Sequence, residues 1–383
     1  MNRILRYCLT RMLRAISRLS FIMPLREKQI LFYSFYGKQY SDSPKYISDY
    51  ILAHNQDYNF TMYCGVKEPD KFKDFETQNL HFIKYKGLRF AFEHMRSKFI
   101  ITNTTTFRLF ARRKKQEMIN TWHGGGAYKR DSFMLNSQSK IKSYYRKIYT
   151  VDVTLFLSSS KAFTEAFLYN VHHYKGNVLN VGLPRNDVIL NTGLHEEIKK
   201  KVRQFFNFNS NIHIALYAPT WRGYDNGNSE KINFELLSDS LKKRFGGDWV
   251  LLYRAHDRTY TNDFQQVKNA TIYPDMQELL ITADVLITDY SSSIWDYSLL
   301  KKPAFLYVPD LKLYEERVGF VTPINKWGFA VCESNKELAK SIENYDSEKQ
   351  LKAINENHEL FQSYETGEAS KRVFDYIVSR LDK

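Results

Sequence analysis

The stretch ADVLITDYSSSIWDYSLLKKPAFLY, residues 283–307, decides the fold. An apolar run, Val285-Leu286-Ile287-Thr288, stops at Asp289-Tyr290, three serines follow, and Ile294, Trp295, Tyr297, Ser298, Leu299 and Leu300 continue at helix-like spacing as far as Pro303. The pattern predicts a strand, a hydroxyl loop, a helix whose first turn is Ser291-Ser292-Ser293, and a second buried strand from Ala304 to Val308. Such a helix start offers backbone N–H groups, the positive end of a dipole and three hydroxyls, which suit a phosphate or diphosphate. The segment has none of the glycines of familiar phosphate loops, and serine as a plain helix cap is the competing reading. In an open α/β sheet this turn lies at the carboxyl end of a strand, where ligands bind.

The alternation extends in both directions. Ile30–Phe35, Asn59–Cys64, His81–Lys84, Lys98–Thr102, Glu117–Thr121 and Val153–Leu157 read as strands with helical patterns between them, and His213–Tyr217 and the run from Trp249 repeat the arrangement. Strands alternating with helices predict parallel βαβ units and an α/β fold. A chain of 383 residues exceeds what one core usually fills. The turn Gly182-Leu183-Pro184-Arg185-Asn186-Asp187 marks a boundary, giving an N-terminal domain over 29–190 and a C-terminal domain over 191–383 that includes the final helices.

Strand ends carry the chemistry. Glu117–Thr121 runs into Trp122-His123-Gly124-Gly125-Gly126, where His123 closes a strand and the glycines permit close approach; Lys129 and Arg130 add cationic donors. In the second half, three successive strands end in Thr220 and Arg222, in Arg254 and His256, and in Asp289 with Ser291, Ser292 and Ser293. Parallel strands bring such ends to one rim of a sheet. Carboxylates do not cluster, so the sequence points to no obligatory metal while leaving a divalent ion open; Asp289 is read as orienting its loop.

The formal charge is +14, from 56 Lys and Arg against 42 Asp and Glu, which suits a polyanionic partner. A nucleic-acid binder would carry basic stripes interleaved with aromatics. Here the dense basic element is the N-terminus, so no nucleic-acid partner is expected. Cys8, Cys64 and Cys332 are far apart and suggest neither disulfides nor a zinc site, which fits a reducing cytosol. Residues 1–28 form an amphipathic pattern, with Arg3, Arg6, Arg11, Arg14 and Arg18 on one arc and Leu5, Leu9, Met12, Leu13, Ile16 and Leu19 on the opposite one. The apolar run is too short to span a bilayer, so the helix is expected to lie in the interface of an anionic membrane; packing on the protein's own core is the alternative.

TWHGGGAYKRD (121–131), GLPRND (182–187), YAPTWRG (217–223), YRAHD (253–257) and the long segment 273–320 together resemble the CDP-glycerol glycerophosphotransferases that build wall teichoic acids and some capsular polymers. His-Gly-Gly-Gly departs from that family's more familiar His-Gly-Thr-Pro-Leu-Lys form, and the long appended N-terminal region of its larger polymerases is not seen. The resemblance implies a GT-B-like fold, two Rossmann-like domains facing a cleft. It also implies transfer of glycerol phosphate from CDP-glycerol to a lipid-diphosphate-linked acceptor, with release of CMP at the cytoplasmic face of the membrane. It implies His123 as base, His256 as the second catalytic histidine, and Thr220, Arg222, Arg254, Asp289 and Ser291–Ser293 around the donor. Gly124, Gly125, Lys129 and Arg130 then fall on the acceptor side. Transfer from CDP-ribitol, or from a nucleotide sugar on the same fold, is the alternative.

Overall fold

The computed structural model describes residues 3–130, 140–220, 230–254 and 267–381. The chain forms two compact units, one of Met1–His123, Asn136–Asp187 and Tyr364–Lys383, the other of Gly124–Leu135 and Val188–Ser363.

The first unit is built on seven strands: β1 (Arg26–Tyr33), β2 (Thr61–Val66), β3 (Leu80–Lys84), β4 (Ser97–Thr102), β5 (Glu117–Asn120), β6 (Leu155–Ser158) and β7 (Asn177–Asn180). They run parallel in the order β3-β2-β1-β4-β5-β6-β7. A parallel sheet is covered on both faces, so its central strands are unbroken apolar runs rather than alternating ones. Within β1 the two-residue period sorts the run between two cores. Ile30 and Phe32 pack with Ile47, Ile51, Phe99 and Ile101, whereas Leu31 and Tyr33 pack with Phe90, Ile100 and Phe107.

The second unit repeats the plan with β8 (His213–Ala218), β9 (Trp249–Tyr253), β10 (Val267–Asn269), β11 (Val285–Thr288), β12 (Ala304–Tyr307) and β13 (Ala330–Cys332), parallel in the order β10-β9-β8-β11-β12-β13. Its core joins Ala215, Leu251, Val285, Ile287, Phe305 and Tyr307. In each sheet the strand order reverses once, between β1 and β4 and between β8 and β11; in open α/β sheets the carboxyl ends of the strands at such a reversal are where ligands bind. The α/β, GT-B-like class expected from the sequence is the one observed. Strands β7, β10 and β13 were not expected; they are only three or four residues long and lie at sheet edges.

Two segments sit in a different unit from the one the sequence suggested. The helix Ala369–Ser379 joins the first unit, inserting Ala369, Val373, Phe374 and Ile377 among Ile47, Ile51 and Phe60. GLPRND, read as a boundary turn, is its socket. The Asp187 carboxylate accepts the N–H groups of Ala369 and Ser370 (2.9 and 2.7 Å), and Glu365 accepts from Leu183 N–H and Asn186 Nδ2. Residues 124–135 belong to the second unit, for reasons given below.

The N-terminal helix Arg3–Ser17 is amphipathic as expected, yet it docks by its polar side. Arg14 donates to the Asp152 carboxylate through both terminal nitrogens (2.8 and 2.9 Å) and to the Phe110 carbonyl (2.8 Å), and Ala111 N–H donates to Ser17 Oγ (3.0 Å). The Tyr7 ring meets Tyr144 edge-on. The opposite stripe, Leu5, Met12, Ile16 and Leu19, is exposed, and the turn that follows leaves Ile22 92% exposed. The helix is therefore not packed on the core by its apolar face, and Arg14 is not on the outer surface with Arg6, Arg11 and Arg18. Arg113, in the basic loop Arg112-Arg113-Lys114-Lys115, also serves structure, donating to the carbonyls of Phe21, Met23 and Met95. Among the described residues no helix is long and apolar enough to cross a membrane.

Candidate active site

His123 follows the carboxyl end of β5, beside β4. Its exposed imidazole receives its orientation from backbone: Nδ1 lies 2.8 Å from the Asn103 carbonyl oxygen. A carbonyl only accepts, so Nδ1 carries the proton and the lone pair of the neutral ring is on Nε2. The ring stacks on Trp122 (centroids 4.7 Å apart) and meets Phe35 edge-on (5.9 Å). Trp122 has φ +55°, and Phe35 and Tyr36 at the end of β1 have φ +46° and +57°. Left-handed backbone at non-glycine residues is strained, and its concentration around one histidine marks a place where geometry outranks local comfort. The buried Asn120 side chain holds the turn, accepting from Trp122 N–H (2.8 Å) and donating to the Thr104 carbonyl (2.6 Å).

Residues 124–130 are laced to the second unit. Arg130 N–H donates to the Gly319 carbonyl (3.1 Å), Val321 N–H to the Tyr128 carbonyl (2.9 Å) and Thr322 Oγ1 to the Ala127 carbonyl (2.8 Å), while Lys129 and Phe320 form an antiparallel bridge. The buried Tyr128 ring lies 4.4 Å from Trp327 and 5.3 Å from Phe361. The glycines answer to this packing. A Cβ on Gly125 would fall 2.0 Å from Trp295 Cδ1, and Gly126 has φ +67°. What comes close at Gly125 is therefore Trp295, where the sequence had suggested a ligand. Lys129 is half-exposed and Arg130 exposed, its side chain lying over Gly319.

At the second reversal point, Asp289 ties the ends of β8 and β11. Its buried carboxylate accepts from Thr220 N–H (2.8 Å), Thr220 Oγ1 (2.6 Å) and Tyr290 N–H (2.5 Å), which is the orienting role read from sequence. The Tyr290 ring stacks on Tyr314 with centroids 3.6 Å apart, and its hydroxyl donates to Asp310 (3.0 Å). The serines differ from expectation: the helix spans only Ser293–Ser298, beginning two residues late. The Ser293 N–H and hydroxyl both turn to Ser291 Oγ (3.2 and 2.9 Å), so Ser293 is occupied locally. Ser291, accepting twice, still has its own proton to donate, and Ser291 and Ser292 are partly exposed.

Arg254 is drawn into structure. Its Nη1 donates to the carbonyls of Ala270 and Tyr273 (3.2 and 2.7 Å), pinning the turn after β10, and burial lowers its basicity against a partly compensating Asp275. Arg222 and His256 lie outside the described residues. Among the described residues no cluster of three or more His, Cys, Asp or Glu side chains could hold a metal ion. Asn103, Asn120 and Trp295 were missed at the sequence level. Asn103 closes β4 as Asp289 closes β11, so the rule of polar groups at strand ends, applied to the first half, would have found it.

Comparison with known proteins bears on this geometry. The family model described as CDP-Glycerol:Poly(glycerophosphate) glycerophosphotransferase matches residues 15–379. The teichoic acid poly(glycerol phosphate) polymerase of Staphylococcus epidermidis is 28% identical over 369 residues, covering 92% of this chain, which spans about half (51%) of that relative. The enzyme of the same name from Bacillus spizizenii is 25% identical over 387 residues, covering 97% of this chain and 98% of its own length. Among solved structures, a histidine-to-asparagine variant of the wall teichoic acid polymerase TagF, soaked with CDPG, matches with TM-score 0.83 and 26% identity over 99% of this chain and 97% of that one.

Proposed function

Because the chain belongs to the CDP-glycerol:poly(glycerophosphate) glycerophosphotransferase family, a family of transferases, we propose that it moves glycerol phosphate from CDP-glycerol to a hydroxyl of a lipid-diphosphate-linked acceptor, releasing CMP. An acceptor hydroxyl is a weak nucleophile near neutral pH. In this reading the Nε2 lone pair of His123 takes its proton as the oxygen attacks the glycerol-bearing β-phosphorus. The bond from that phosphorus to the bridging oxygen breaks, and the electron pair leaves with CMP. The loops after β8 and β11, shaped by Asp289 and carrying the Ser291 hydroxyl, serve the donor phosphates; Lys129 and Arg130 serve acceptor phosphates. The observation that carries the reading is the Nδ1 bond to Asn103, which gives an exposed strand-end histidine the tautomer a base requires.

The exposed stripe Leu5, Met12, Ile16, Leu19 and Ile22, flanked by Arg6, Arg11 and Arg18, supports a place at the cytoplasmic face of an anionic membrane, apolar side down. Replacing His123 by Ala tests the chemical part: CMP release should fall at least about 10²-fold in a correctly folded variant. Near-normal turnover would remove His123 from the mechanism.

A further inference from the structure

We propose that Asn103, clamped by the buried Asp42–Arg185 ion pair, is the positioning residue that fixes the ring of His123 for proton transfer. The proposal rests on the reading of His123 as the acceptor-side base and adds what holds that base in place.

Asn103 is fully buried immediately after β4, where the strand order of the first sheet reverses, and it acts in three directions. Its carbonyl receives His123 Nδ1–H (2.8 Å). Its Oδ1 accepts Phe35 N–H (2.9 Å), holding the left-handed start of the loop whose Phe35 ring meets the imidazole edge-on. Its Nδ2 donates to Asp42 Oδ2 (2.9 Å). Asp42 is itself held by Arg185 Nη1, 3.1 and 3.3 Å from its two oxygens, and by Ser43 N–H (2.5 Å). Both charged side chains are almost wholly buried, and Asp42 has φ +62°.

A buried ion pair contributes little net stability, because desolvation offsets most of the attraction. A strained backbone beside it adds cost. What the pair supplies is direction. With one Asp42 oxygen engaged by Nδ2, the Asn103 amide cannot flip and Oδ1 faces Phe35, so the side chain anchors the residue whose peptide carbonyl receives His123. A base performs when its own orientation is locked by the groups behind it, and here those groups come from three separated parts of the chain.

The test uses the full chain with CDP-glycerol and a soluble lipid-diphosphate acceptor analogue. Asn103→Ala keeps the accepting carbonyl and removes the clamp. It should lower kcat by about 10-fold or more while the KM for CDP-glycerol stays within about 2-fold. The double variant with His123→Ala should be no slower than His123→Ala alone, because Asn103 acts through the histidine. In spectra of 15N-histidine-labelled protein, the His123 Nδ1–H form should dominate in the parent and give way to a tautomer mixture in Asn103→Ala. If Asn103→Ala does not fold, exchanging the partners as Asp42→Asn with Asn103→Asp keeps the net charge and the bond with its direction reversed, and should restore most of the kcat that Asn103→Asp alone loses. An unchanged kcat, an equal loss in the His123→Ala background, or a failed rescue with wild-type tautomer would overturn the proposal. If His123→Ala itself turns over normally, the base reading fails, and the tautomer measurement still decides whether Asn103 sets the ring.

Discussion

Replacing Gly125 by Ala separates packing from ligand approach as the reason for the three glycines after His123. An added Cβ would lie 2.0 Å from Trp295 Cδ1, 2.6 Å from Cγ and 2.7 Å from Nε1. Ordinary carbon–carbon contact begins about 1.5 Å farther out, so the indole must move by about that much. It has no room to do so: Trp295 is fully buried, stacked on His358 at 4.5 Å and on Phe361 at 5.8 Å. Overpacking usually costs about 1–3 kcal/mol, and a rigid indole places this site near 3 kcal/mol. For a unit of this size that lowers the melting temperature by roughly 6–12 °C. Scanning calorimetry of Gly125→Ala, of Trp295→Phe and of the double variant measures it. The smaller ring relieves the clash, so the double variant should lose less than the sum of the single losses. A Gly125→Ala protein that melts like the parent and fails only in substrate binding would refute the packing account.

Three further outcomes follow from the geometry. Asp289→Asn keeps one acceptor oxygen but removes the charge that organises Thr220 and Tyr290 N–H; bonds to a charged group contribute about 1.5–3 kcal/mol, so CDP-glycerol affinity measured by calorimetry should weaken about 10-fold or more. Burial holds His358 at about 4 and His94 at about 3, below the ordinary 6.5, so the unfolded chain takes up protons first; stability should be full above about pH 6.5 and decline as pH falls toward 4, by at most about 1.4 kcal/mol per pH unit for each imidazole. Denaturant titrations from pH 7.5 to 4.5 check this, and His358→Phe should flatten the decline. The triple change Ile16→Asp, Leu19→Asp and Ile22→Asp alters only exposed positions, so the fold should survive while sedimentation with anionic vesicles drops about 10-fold or more; undiminished sedimentation would exclude this stripe as the contact.

The central strands were legible because a parallel sheet writes itself as unbroken apolar runs ending in polar residues. Ile30-Leu31-Phe32-Tyr33 and Val285-Leu286-Ile287-Thr288 are two of them. The edge strands Asn177–Asn180, Val267–Asn269 and Ala330–Cys332 were not, since three or four residues are too few to show a strand period. The candidate site was readable to the extent that its side chains stand at strand ends, as His123, Thr220 and Asp289 do. Its supports were hidden for the opposite reason. Asp42 meets Arg185 across 143 positions, and Gly125 meets Trp295 across an even longer separation, so neither leaves a local pattern. Arg254 shows the limit of counting cations, because a guanidinium at a strand end can be claimed by nearby carbonyls. The N-terminal helix gave its amphipathicity in sequence, but which side faces the protein depended on Asp152 and Phe110, far along the chain.

The transfer reaction itself is tested most directly by CMP release from purified protein given CDP-glycerol and a soluble lipid-diphosphate acceptor analogue, with CDP-ribitol and nucleotide sugars in parallel, followed by mass spectrometry of the product. Acceptor-dependent CMP together with product masses rising by whole glycerol phosphate increments is the expected result, and the number of increments separates a single addition from polymerisation. Turnover of a nucleotide sugar with no CMP from either CDP-polyol would contradict the proposed function and leave only the fold standing.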